Sequence, residues 1–376
     1  MATILETVRA LAPALRAQSD RIEQERRLPM ELVRTLARAG VFRLCIPRSL
    51  GGQEAEPATI LAVLEELARA DGSTGWCAMI GATSGLTSGY LPEGEARTIY
   101  GTSPDVVTGG VFAPTGSAVR EDAAYRVTGR WRFASGCQHC DWLMGGCIVQ
   151  DGGSPRARMV FFPVRDAEII DTWTVSGLRG TGSHDMAVRD LRVPVARSVS
   201  ITDDRPVAPG PLYAFPIFGL LAVGIAAVAV GIARGALDEI EHLATAKTPT
   251  GGRRLLAERP TVQAQIAEAE ATAGAARAFL SEVVDEAWHA ARAAGAIPVP
   301  VRARVRLAAT HATAAAARAV DVAYTAGGGT AVYAESPLQR AFRDIHVVTQ
   351  HMMVAPATWE LAGRVLLGLE TDTTML

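Results

Sequence analysis

The chain has 376 residues, with 37 lysines and arginines against 39 aspartates and glutamates, and is 49% hydrophobic. Its length exceeds what a single growing core serves, so two or three packed layers or subdomains are expected. Nearly cancelling charge with no like-charged block argues against nucleic acid or an anionic membrane surface as partner, and the apolar content argues against disorder.

The five cysteines (Cys45, Cys77, Cys137, Cys140, Cys147) form an odd set without the spacing of a secreted disulfide framework. The first residues lack a basic region followed by an apolar core, so no signal peptide is expected and a reduced cytoplasm fits best.

In chain order, apolar residues at three- and four-residue spacing predict helices over 4–26 and 29–39, with Gly40 as a stop. After the loop Ile46-Pro-Arg-Ser-Leu-Gly-Gly52, helical spacing resumes over 58–70 and 73–89. Between about 106 and 195 the period changes. Residues 125–133 alternate, and 142–149, 158–164 and 186–193 are short β-type runs bounded by Gly, Asp and Pro. Four alanine-rich helical segments follow, at roughly 212–246, 258–294, 301–326 and 336–371. The plan is α+β, with an N-terminal α-helical domain (1–105), a middle β-barrel or sheet domain (106–211) and a C-terminal four-helix bundle (212–376). Residues 217–233 are almost wholly apolar but shorter than the ~20 residues that cross a bilayer, so they read as a core helix.

Three segments stand out: Leu178-Arg-Gly-Thr-Gly-Ser-His-Asp185, Trp131-Arg-Phe-Ala-Ser-Gly-Cys-Gln-His-Cys-Asp-Trp142, and Gly327-Gly-Gly-Thr-Ala-Val-Tyr333 leading into Ser336–His351. With the Ile46–Gly52 loop, they resemble the acyl-CoA dehydrogenase superfamily over essentially the whole chain. The first two are most similar to its oxygenase branch, the reduced-flavin hydroxylases of phenols, steroid-derived catechols, dibenzothiophene and polyketides. That resemblance implies an acyl-CoA dehydrogenase-like fold and the oxygenase component of a two-component flavin-dependent monooxygenase. Such an enzyme uses reduced flavin and O2, through a flavin C4a-hydroperoxide, to hydroxylate an aromatic or polycyclic small molecule. It also implies a homotetramer.

The branch follows from chemistry. A dehydrogenase of the superfamily needs a carboxylate base, often in a step after an Arg-Asp pair. Counted from Arg343-Asp344, that step holds His351-Met352-Met353, and Glu360 lies further on. Some relatives carry the base on another helix, where Glu239 or Glu241 stands here. An oxygenase needs instead a hydroxyl near the flavin N5 and a dry pocket. The resemblance puts Ser135 against the flavin edge and His351 at the histidine that aromatic hydroxylases carry, where an imidazole titrating near neutrality assists a phenol. Ser135 and His351 are the candidate catalytic pair. Ser135 before Gly136 is also ordinary turn chemistry, and His351 also reads as a helix-end residue. His346 is five residues from His351, about 140° around a helix, so the two are no metal pair.

Candidate cofactor contacts are Ser135, Phe133, Arg179, Gly180, Thr181, Ser183, Gly328 and Gly329; candidate substrate contacts are Trp76, Ser84 and His139. The 179–184 loop reads equally as a flavin or phosphate contact and as a tight turn. Gly327–Gly329 lacks the Lys-Ser/Thr of a phosphate cradle. Cys137-Gln-His-Cys140 lacks the second ligand pair of a zinc site and the helix N-terminus of a dithiol motif, and no metal is expected.

Lys247–Arg254 stands where flavin-retaining relatives carry an Arg-x-x-Phe-Gly segment, and has no phenylalanine. Diffusible reduced FMN or FADH2 is therefore expected. With no Gly-x-Gly-x-x-Gly after a strand, no direct NAD(P)H site is expected, which makes a separate NAD(P)H:flavin reductase the required partner. The alternatives are an acyl-CoA dehydrogenase-like desaturase and a redox-inactive binding or cyclisation protein on the same fold.

Overall fold

The computed structural model describes residues 2–376. Six helices come first: α1 (Ile4–Arg16), α2 (Ser19–Glu25), α3 (Met30–Arg38), α4 (Pro57–Ala70), α5 (Gly72–Ser84) and α6 (Glu93–Tyr100). Their starts are chemically marked. Thr3 and Glu6 form a reciprocal capping box on α1, Pro57 opens α4, and Asp71 caps α5 by accepting the Thr74 N–H at 2.7 Å. The helix expected over 4–26 is two helices, broken at Ala17-Gln18. The break lets Glu23 on α2 meet Arg340 at 2.9 Å and Arg343 at 2.6 Å. The segment expected over 73–89 ends as α-helix at Ser84 and tightens into a 3₁₀ turn, Gly85–Gly89. Helix α6, behind Pro92, was not anticipated.

The middle of the chain forms one seven-stranded mixed sheet of order β5-β6-β2-β1-β3-β4-β7. Its strands are β1 (Thr108–Glu121), β2 (Ala124–Ala134), β3 (Trp142–Gln150), β4 (Arg156–Pro163), β5 (Glu168–Ile170), β6 (His184–Pro194) and β7 (Ser198–Val199). β1 and β3 run parallel and the other pairs antiparallel. Gly109, Gly110, Pro114 and Gly116 interrupt the alternation of β1, which hid it from a period-two reading. The β2–β6 register shifts between Trp131 and Ala134, where Phe133 has a left-handed φ of 64°. This bulge re-aims the end of β2 just before Ser135.

Five helices complete the chain: α7 (Ile217–Ala246), α8 (Pro260–Ala294), α9 (Val299–Gly327), α10 (Pro337–Val348) and α11 (Ala357–Leu366). The most apolar window of α7 is 89% buried, so it is a core helix. It sits close against α4, since a Cβ at Gly231 would lie 2.3 Å from the Glu65 carbonyl oxygen. The last periodic segment, 336–371, is two helices on either side of a connector that ends in the helix-breaking Pro356, and α10 stops already at Val348. His351 therefore sits in a connector that caps a 3₁₀ turn, and not on a continuing helix as the 140° argument assumed. One apolar core runs through the early helices, the sheet and the C-terminal helices.

Candidate active site

Three parts of the fold converge on Ser135. The α5 indole of Trp76 donates its Nε1–H to Ser135 Oγ at 3.0 Å. Ser135 Oγ lies 2.7 Å from Ser183 Oγ, and Ser183 Oγ lies 2.7 Å from Thr181 Oγ1. The Gly136 N–H donates to the Thr181 carbonyl at 2.8 Å, tying the end of β2 to the 178–183 turn. His351 meets the Trp76 ring edge-on, with ring centroids 5.7 Å apart and planes at 62°. All of these side chains except His351 are buried, and His351 is half-buried.

The state of His351 is fixed by its surroundings. Its Nδ1 accepts the Met353 N–H at 3.2 Å, so the neutral ring carries its proton on Nε2. Burial, reinforced by the nearby Arg306 cation, pulls its pKa down to about 4. The expectation of an imidazole titrating near neutrality is corrected: at pH 7 the ring is neutral and presents a donor. Arg306 on α9, 2% exposed, donates to the Met353 carbonyl at 3.0 Å and to the Met375 carbonyl. It thereby braces the turn that holds His351, a part the sequence reading missed because Arg306 lies 45 residues upstream in an alanine-rich helix.

The remaining candidates divide. Phe133 is 62% exposed and meets Trp173 edge-on at 6.2 Å. Trp173, also missed, donates its Nε1–H to the Leu178 carbonyl at 3.1 Å. Arg179 is a half-buried arginine 3.9 Å from Glu23. Gly180 packs beneath α2: a Cβ there would lie 2.2 Å from Ile22 Cγ2, which explains the residue by packing alone. Gly328 and Gly329 lie in a turn after α9 with open space around them. Ser84 is buried at the end of α5, two turns beyond Trp76. His139 is buried against Phe42 at 6.4 Å, and burial lowers its pKa to about 4. His346 bonds Asp321 at 2.8 Å, a link between α10 and α9, and meets the Phe342 ring edge-on at 4.6 Å.

The thiols near the site are capped by backbone: Cys77 by the Thr181 carbonyl at 3.8 Å, Cys137 by that of Gly182 at 3.6 Å, and Cys140 by that of Gly136 at 3.3 Å. Burial pushes the Cys137 thiol up to about 12. Among the described residues no group of three or more His, Cys, Asp or Glu side chains is arranged to hold a metal ion.

No carboxylate hydrogen-bonds to Ser135, Trp76 or His351 among the described residues. Glu241 pairs with Arg234 at 3.0 Å. Glu239 opens into a separate cavity of about 620 Å³ shared with Asp71, Arg340 and Asp344. Glu360 is exposed on α11.

Residues 2–93 match the model of the acyl-CoA dehydrogenase N-terminal domain, and residues 223–356 that of its C-terminal domain. The chain belongs to the acyl-CoA dehydrogenase family. Indole-3-acetate monooxygenase of Pseudomonas putida is 34% identical to it, over 94% of this chain and 90% of that protein. The flavin-dependent monooxygenase oxygenase subunit HsaA of Rhodococcus jostii is 31% identical over 99% of this chain and 100% of its own. The solved structure of XiaF from a Streptomyces species, in complex with FADH2 and glycerol, superposes with a TM-score of 0.91 at 27% identity, covering 98% of this chain and 95% of that one.

The residues present fit a flavin. Phe133 offers an exposed aromatic surface, and beside it stands a serine hydroxyl held by Trp76 and Ser183. This acyl-CoA dehydrogenase relative thus has a buried hydroxyl and a neutral imidazole both in contact with Trp76, and among the described residues no carboxylate hydrogen-bonded to either.

Proposed function

We infer that the chain is the oxygenase component of a two-component flavin-dependent monooxygenase that hydroxylates an aromatic or polycyclic small molecule. The observation that carries this reading is the Ser135–Trp76–His351 cluster, in which a hydroxyl and a neutral imidazole occur without a carboxylate base. A thioester desaturase needs that base to remove a proton beside a carbonyl, so the cluster disfavours it.

Reduced flavin, FMN or FADH2, supplies the electrons and activates O2. Ser135 would hold the flavin edge through its hydroxyl, and Phe133, Thr181 and Ser183 would complete the contacts to it. The Trp76 indole has its N–H occupied by Ser135, so it offers only its ring to a flat substrate, a contact suited to phenols and indoles. His351 donates from Nε2 to the substrate oxygen or nitrogen and orients it; the Met353 N–H on Nδ1 keeps that donor in place. The buried walls of Trp76, Thr181 and Ser183 exclude the water that would drain the reaction into peroxide.

A separate NAD(P)H:flavin reductase delivers the reduced flavin, and the pair works in the cytoplasm. The oxygenase is a homotetramer, which accounts for the exposed apolar residues of the α11 end and the turn after α9: Trp359, Leu366, Leu367, Val332 and Tyr333. The test is a reductase-coupled screen of phenols, indoles and amino-sugars with mass spectrometry of the products. A product heavier by one oxygen supports the reading. Oxidation of a thioester without added oxygen refutes it.

A further inference from the structure

Residues 372–376 fold into a small turn against α9. The Asp372 carboxylate accepts the Thr374 N–H at 2.9 Å and the Thr374 hydroxyl at 2.6 Å, and the Leu376 N–H donates to the Thr373 carbonyl at 3.1 Å. Leu376 is fully buried, in a recess lined by Phe215, Pro216, Ile297 and Val305. Arg302 and Arg306, four residues apart on one face of α9, hold the carbonyls of this turn. Arg302 donates to Thr373 at 2.8 Å and to Leu376 at 3.0 Å, and Arg306 donates to Met375. The second arm of Arg306 donates to the Met353 carbonyl at 3.0 Å. Met353 is also the residue whose N–H is bound by His351 Nδ1. The fork of one guanidinium therefore joins the 373–376 segment to the turn that fixes His351.

This junction is unfavourable in itself, which makes it informative. Burial lowers the pKa of Arg306 to about 10 and lowers that of Arg302, with no carboxylate opposing either, and the Nε–H of each has no partner. A buried cation held by carbonyls alone costs stability that an apolar side chain would not. An apolar side chain could not span two carbonyls from separate segments of the chain. Among the described residues Arg306 is also the one charged group that acts on the His351 ring.

We propose that the 373–376 segment is a strap that positions His351 through Arg306. Leu376 anchors the strap and Arg306 transmits it; both are positioning residues, because they act through the Met353 turn. With the strap seated, Arg306 is kept from water and Met353 is held at its N–H and at its carbonyl, which leaves the imidazole one orientation against Trp76. With the strap removed, water reaches Arg306 and the turn loosens. The consequence for turnover rests on the reading of His351 as the donor that orients the substrate, whereas the link from Leu376 to the ring does not.

The test compares the full chain, a chain stopped after Asp372, Arg306→Met and Arg306→Lys. Trp76 reports on the ring directly, because a protonated imidazole against an indole quenches its emission. The signal is the difference between each chain and its Trp76→Phe counterpart as pH falls. In the full chain the quench is expected only toward pH 4. In the shortened chain and in Arg306→Met its midpoint is expected at least about one pH unit higher. Oxygenated product per reduced FMN consumed, with phenol and indole as probes, is expected to fall about tenfold in both, while FMN affinity changes less than about twofold. Arg306→Lys keeps the cation and one donor but cannot span both carbonyls, so it is expected to keep the low midpoint and lose the yield. An unchanged midpoint and yield in the shortened chain overturns the strap. Should that chain not fold, an Arg306→Lys variant with full yield overturns it. A full chain that oxygenates no phenol or indole, while its midpoint still moves on shortening, overturns the functional reading and leaves the strap standing.

Discussion

Trp76 on α5 and Ser135 beyond β2 share a 3.0 Å hydrogen bond that joins the first helices to the end of a sheet strand. It uses the only polar atom of the indole and one of the two lone pairs of the hydroxyl. Trp76→Phe keeps most of the ring and removes the donor. Loss of one buried hydrogen bond is expected to cost about 1 kcal/mol in urea unfolding. Peroxide released per reduced flavin consumed should rise in this variant, and more strongly in Ser135→Ala. Unchanged coupling in Ser135→Ala would remove that residue from the account.

His351 is expected to matter as a neutral donor. With its pKa lowered to about 4, first by burial and then by Arg306, it stays uncharged throughout the range from pH 6 to 9. The pH profile of hydroxylation should therefore show no histidine inflection in that range, and an acid limb appears only as pH falls toward 4. His351→Ala should lower product formation about 100-fold while flavin affinity changes less than twofold. A profile with a single inflection near 6.5 would show that the burial and the Met353 contact do not hold the ring as described.

Asp344 links the Arg-Asp helix to the 178–183 turn through the Leu178 N–H, and its titration gives a stability signature. Burial lifts its pKa to about 7, aided by the neighbouring Asp71 carboxyl and opposed by the Leu178 N–H. A raised carboxyl pKa means the folded state holds a proton that the unfolded chain releases near 3.9. The contribution is thus complete below about 3.9 and is lost as pH rises through about 7. Asp344→Asn keeps an acceptor for Leu178 and removes the titration, so its stability relative to wild type should increase from pH 5 to pH 8. Urea unfolding at those two pH values measures the difference, and a constant offset would contradict the assignment.

Much of this arrangement is legible in the sequence, and the omissions have physical causes. The long apolar run of α7 and the Gly and Pro breaks mark the C-terminal helices plainly, because helical period and turn chemistry are local. The break at Pro356 is legible in the sequence, but α10 ends already at Val348, since apolar spacing continues across Thr349–Pro356 even though the helix does not. Motif resemblance singled out Ser135, Thr181, Ser183 and His351, Trp76 was a candidate substrate contact that no motif marks, and the fold brings these five together. Arg306 and Trp173 carry no motif; their importance comes from what they touch across the fold.

Gly180 separates a structural glycine from a cofactor glycine. A methyl there meets Ile22 Cγ2 and Ser73 Cβ. Gly180→Ala is expected to cost about 1–3 kcal/mol of stability through overpacking. Flavin affinity of the folded fraction should stay within a few-fold of wild type. A variant of normal stability that loses flavin would return Gly180 to the cofactor contacts.

The most direct test of the central claim is isotopic. Purified protein is mixed with chemically reduced flavin, a phenolic or indolic substrate and ¹⁸O₂, and the product is weighed. The account predicts one ¹⁸O atom per product molecule, in step with the reduced flavin consumed, and none when NAD(P)H replaces the reduced flavin. Product oxygen drawn from water, or full activity from NAD(P)H with no reductase present, would contradict it.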